Sequence, residues 1–257
     1  MATKRKEWLQ IGSGKSYFHR THQPLQCLIF ITPLLLIYQI GTAIHPLEAN
    51  QQGPIHVVAF LLMLKFFSFF GAAGNYLPLL AVIAMLMAWH LARKDKWDFM
   101  PQLYAGMAAE SVLWAVPIFV ITLALLTHFM HGAATAAAGL AETLPPETAV
   151  VLSIGAGIYE ELLFRLVAIT ILNIIFVDML EMKVAKAIPI IILISALLFA
   201  SYHMLGKTAV TLPYFFFLAA FGVYCAGIFI FRGFGIVVGC HAVYDLIVVM
   251  NDVYHHR

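Results

Sequence analysis

An all-α bundle that crosses a lipid bilayer several times is the fold the sequence predicts, and three observations predict it. Hydrophobic residues make up 62% of the 257-residue chain and charged residues 11%, against about 45–50% and about 25% in soluble domains. Mean hydropathy is +0.91. The apolar residues also fall in runs of about 20, the length a helix needs to span the hydrocarbon. Lipid offers the backbone no hydrogen bonds, so each such run must satisfy its own as a helix.

The elements follow in chain order. Residues 1–25 are polar and basic, with Lys4, Arg5, Lys6, Lys15 and Arg20; the positive-inside rule makes this a cytoplasmic segment. No small-residue cleavage site follows the first apolar run, so no cleavable signal peptide is expected. Apolar runs near 26–44, 54–71, 76–92 and 109–130 form an N-terminal group of membrane helices within 26–147. That group closes on an Ala-rich connection, 131–147, with a Pro145-Pro146 breaker. Runs near 148–177, 188–206, 212–231 and 235–252 form a second group, 148–252, followed by a polar tail at 253–257.

Eight helices are therefore predicted, with two topologies open. Eight crossings from a cytoplasmic start place Arg93, Lys94 and Lys96 outside, against the charge rule. If 54–71, which contains Lys65, is re-entrant, seven crossings put these residues inside with Lys183, Lys186 and Arg232. No internal repeat is visible, and the connections leave no room for a soluble domain.

Some function classes drop out early. A net charge of +2 with no basic, aromatic-interleaved patch gives nucleic acid no footing. Cys27, Cys225 and Cys240 are odd in number and far apart, which reads as small core residues rather than a disulfide framework or a metal knuckle. His128 and His131 form an HxxH that could be half a metal site but read as interfacial residues ending a span; Glu110 and Asn173 could line a cavity but read as a helix cap and a polar interhelical contact. Ser153, Gly155 and Gly157 are small residues that permit close helix approach or leave room for a substrate.

The stretch IYEELLFR (158–165) puts Glu160, Glu161 and Arg165 inside an apolar run. Ionisable groups within a span are costly and point to function. Glu161 and Arg165 are i, i+4, so they share a face and can pair; Glu160 points about a hundred degrees away and is left without a local partner. Two further intrusions follow. Phe199 and His203 are four apart in FASYH, and His241 and Asp245 are four apart in CHAVYD. A carboxylate and two histidines can activate a water and hold an oxyanion. No GxSxG, Cys–His or HExxH motif competes with them.

EExxxR, FxxxH and HxxxD, each on a membrane helix and in that order, resemble the CAAX-protease and bacteriocin-processing family, glutamic-type intramembrane endopeptidases related to the Ras-converting CAAX endoproteases. The resemblance covers about 148–250. It implies Glu160 as the base that activates water, His203 as the residue that positions that water, and His241 with Asp245 on the oxyanion side. Glu161, Arg165 and Phe199 support them, and no metal or other cofactor is required. Many family members carry Asn where this chain has Asp245. An ionised Asp accepts and does not donate, so Asp245 is expected to orient His241 and leave donation to the ring.

The expected function is hydrolysis of a peptide bond in a membrane-anchored protein or peptide, in a bacterial cytoplasmic membrane. A non-catalytic binding or immunity protein, and a proton- or metal-coupled transporter, are the alternatives. The transporter lacks the repeated halves and matching broken helices that such proteins use.

Overall fold

The computed structural model describes residues 16–44, 57–129, 145–205 and 211–255. Among these residues the fold is all-helical, with nine helices. A short α1 (Tyr17–Arg20) precedes α2 (Pro24–Ile44), α3 (Val58–Phe69), α4 (Leu77–Arg93) and α5 (Pro101–Phe129). Then come α6, continuous from Pro146 to Met179, α7 (Val184–Met204), α8 (Leu212–Arg232) and α9 (Phe234–His255). Six of them (α2, α5, α6, α7, α8 and α9) are long and apolar enough to cross a membrane. The two shorter apolar helices are α3 and α4. The chain is a multi-pass membrane protein.

All eight predicted apolar segments are helical, with several boundaries displaced. The fourth begins at Pro101 rather than 109 and the last runs on to His255, beyond the expected tail at 253. The second is only 12 residues long, about 18 Å of helix against a hydrocarbon core of about 30 Å. Lys4, Arg5, Lys6, Lys15, His131 and most of the 131–147 connection lie outside the described residues.

Hydrogen bonds fix which helix ends lie together. Gln26, in the first turn of α2, donates to the carbonyl of Asp98 just past α4 (2.9 Å), and Tyr104 in α5 donates to Gln26 Oε1 (2.7 Å). Arg20 lies 3.9 Å from the Asp98 carboxylate. So α2 starts where α4 ends, and the two run antiparallel. At that same end Glu110 of α5 receives hydrogen bonds from Tyr17 (2.8 Å), Trp114 (3.1 Å) and the guanidinium of Arg232 at the end of α8. The guanidinium also stacks over Phe18, 4.2 Å from its ring centroid. Glu110 is thus not a helix cap: it sits well inside α5 and anchors a part-buried ion pair. His22 bonds the Phe231 carbonyl (3.1 Å), and burial holds its imidazole below the usual histidine range. The turn from α8 to α9 passes through Gly233 at φ +93°, where a Cβ would come 2.8 Å from the Thr21 carbonyl oxygen.

Helix α9 packs along α5 and α6, and α7 packs along α8. Small residues allow the closest approaches. A Cβ on Gly157 would meet the backbone nitrogen of Ala242 at 2.8 Å, and one on Gly222 would meet Ala196 Cα at 2.8 Å. Gly155 lies against the ring of Tyr38. Of the two uses open to Ser153, Gly155 and Gly157, close packing is the one these positions serve. The three cysteines are free and buried, as expected of core residues.

Candidate active site

Glu160 and Glu161 sit where α6 changes character. The α-helical register runs to Glu161 and gives way to π-helical turns at Leu162–Ala168, and again at Ile174–Met179. Such wide turns inside an α-helix are frequent at functional sites. They keep Glu161 and Arg165 on neighbouring faces. Both side chains are fully buried, with Arg165 Nε 3.1 Å from Glu161 Oε2. The two atoms are not aligned as a hydrogen bond, so the contact is an ion pair. The guanidinium also faces the Phe199 ring at 4.7 Å.

The other Glu161 oxygen is engaged elsewhere. Oε1 lies 2.7 Å from Nδ1 of His241. Glu161 therefore bridges Arg165 within α6 to the imidazole of α9. A ring whose Nδ1–H is given to a carboxylate has its orientation fixed, and its Nε2 is turned into the cluster. Asp245, expected to orient this ring, makes the i, i+4 contact with Nε2 at 3.6 Å, an ion-pair distance longer than a hydrogen bond. Phe221 and Phe199 wall the imidazole edge-on, at 5.0 and 6.1 Å between centroids.

Glu160 points to the other side. Its Oε2 is 3.5 Å from Nε2 of His203 and 3.9 Å from Nε2 of His241. Its Oε1 accepts a hydrogen bond from Tyr202 (3.2 Å). His203 bonds back to the Phe199 carbonyl through Nδ1 (2.9 Å), and its ring lies 4.4 Å from that of Phe199. This is the contact that FxxxH spacing allows.

The fold thus gathers Glu160, Glu161, Arg165, Phe199, His203, His241 and Asp245 from three helices into one cluster. Glu160, Glu161, Arg165 and His241 are buried, while the His203 and Asp245 side chains keep 22% and 25% exposure. Tyr202 was not singled out in the sequence, because a tyrosine beside a histidine has no distinguishing period. Asn173 lies further along α6 and is not among these contacts, and the side chain of His128 lies outside the described residues.

Comparison with known proteins gives one family match. Residues 142–247 match the family described as type II CAAX prenyl endopeptidase, Rce1-like. The match covers less than half of the chain and marks that stretch as an Rce1-like domain. No curated protein and no solved structure matches the chain. The Rce1-like domain takes in α6, α7, α8 and α9 as far as Ile247, and so contains every residue of the cluster. Helices α1–α5 lie outside it, yet they contribute the Glu110 anchor that holds the end of α8 at Arg232.

Proposed function

We propose that the chain is an intramembrane endopeptidase of a bacterial cytoplasmic membrane, hydrolysing a peptide bond in a membrane-anchored protein or peptide without a metal. The observation that carries this reading is the placement of Glu160 Oε2 between Nε2 of His203 and Nε2 of His241, at 3.5 and 3.9 Å. Those separations suit one water shared among three polar atoms. Glu160 takes a proton from it, and the hydroxide attacks the scissile carbonyl carbon. The oxyanion forms on the side of His241 and Asp245. Collapse breaks the C–N bond, and the proton on Glu160 passes to the leaving amine.

His241 can donate to Glu161 and to an oxyanion at once only as an imidazolium, with an N–H at each ring nitrogen. Three carboxylates (Glu160, Glu161 and Asp245) within 4 Å of this ring supply the counter-charge. Asp245 then acts beside the donor nitrogen, so an Asn there keeps a polar partner.

The test is cleavage of candidate membrane-anchored peptides in proteoliposomes. Wild-type protein cleaves in the presence of a chelator. Glu160→Ala and His203→Ala each lower the rate by roughly 100-fold or more. Asp245→Asn retains activity that Asp245→Ala loses. Wild-type protein that binds a peptide tightly and never cuts it would establish the binding or immunity reading instead. Metal-dependent flux without cleavage would establish transport.

A further inference from the structure

We infer that Tyr202 is a positioning residue for Glu160, fixing which carboxylate oxygen faces the two histidines. The inference rests on the endopeptidase reading for its kinetic consequence, and on geometry alone for the contact itself.

The final torsion of a glutamate side chain is broad and nearly two-fold. Left alone, Glu160 would exchange its two oxygens and spread over a range of tilts. Tyr202 hydrogen-bonds one of them, Oε1, at 3.2 Å. The other, Oε2, is buried and makes no hydrogen bond among the described residues. It nevertheless lies within 4 Å of both imidazole Nε2 atoms. One oxygen is therefore tethered, and the other is presented to the reacting position.

The tether is itself held. Tyr202 is buried, its ring 5.1 Å from Phe164 of α6 and 4.8 Å from His203. Phe164 lies four residues after Glu160, so α6 supplies both the carboxylate and a wall for the phenol that restrains it. Tyr202 also precedes His203 directly. A movement of α7 that shifts the histidine shifts the hydroxyl with it.

The decisive variant is Tyr202→Phe, which removes the hydroxyl and keeps the ring packing. The expected result is a kcat lower by roughly 10- to 100-fold, the worth of a hydrogen bond to a charged group. KM stays within about twofold and the thermal midpoint is unchanged, because substrate contacts and ring burial are untouched. A second measurement needs no turnover: the infrared band of Glu160, isolated as the difference between wild type and Glu160→Gln, moves in a Tyr202→Phe background. A kcat equal to that of wild type, or an unmoved Glu160 band, overturns the proposal. If no peptide is cleaved by the wild type, the endopeptidase reading fails while the infrared result still decides the Tyr202 contact.

Discussion

At the scale of single residues, the cost of burying charge explains the division of labour between two adjacent glutamates. Glu161 and Arg165 are fully buried, and desolvating two ions is repaid only by close pairing and added hydrogen bonds. Glu161 meets this demand twice, through Arg165 and through His241 Nδ1. Removing one partner strands the other. Arg165→Met should therefore cost about 3–5 kcal/mol of stability, as breaking a buried pair does. The check is the thermal or denaturant midpoint in detergent, with Glu161→Gln/Arg165→Met expected to recover part of the loss. The i, i+4 rule made the Glu161–Arg165 contact legible in the sequence. The bond from Glu161 to His241 was not, because it joins residues 80 apart and no local spacing encodes it. Tyr202 was illegible for the same reason.

Among the elements, α6 and α9 set the geometry. Hydropathy located both, and Gly157 marked their contact, since a backbone can come this close only where a side chain is missing. Gly157→Leu should push the two helices apart at Ala242, whose backbone nitrogen already lies 2.8 Å from where a Cβ would stand. Because His241 directly precedes Ala242 on α9, activity is expected to fall by at least tenfold, with a lowered thermal midpoint in the same sample. Upright helices advancing about 1.5 Å per residue would leave His203 shallower than Glu160 and His241. That arithmetic fails for a physical reason. Helix α6 has 34 residues, about 50 Å by the same rise, so it must tilt or protrude to fit a core of about 30 Å. Its π-helical turns change the rise as well. The excess length is already visible in the apolar run at 148–177, but the π-helical turns cannot be read from hydropathy.

For the whole molecule, the paired helix ends bear on topology. Gln26 at the start of α2 bonds Asp98 beyond α4, so the chain returns by Asp98 to the side it left at Gln26. A third full crossing between them would break that parity. The short α3, with Ala59 and Phe60 buried and Phe66, Phe69 and Phe70 exposed, then enters and leaves on one side. Of the two topologies the charge pattern left open, seven crossings fit this pairing, the six long helices plus the 17-residue α4. They gather Arg20, Arg93, Lys94, Lys96, Lys183, Lys186 and Arg232 at one end, the end that the positive-inside rule assigns to the cytoplasm. Cysteine labelling in intact cells checks it: Lys94→Cys should be shielded from an impermeant maleimide and Asn75→Cys should react, the reverse of eight crossings. The native cysteines are buried and should stay silent.

The His241 imidazole has one further consequence. It spans two helices, with Glu161 at one nitrogen (2.7 Å) and Glu160 near the other (3.9 Å). Because these carboxylates are consecutive on α6, a small roll of that helix lengthens one contact as it shortens the other. The ring is a vernier on the angle between α6 and α9, and a substrate that alters that angle would register it first as a change in imidazole chemical shift.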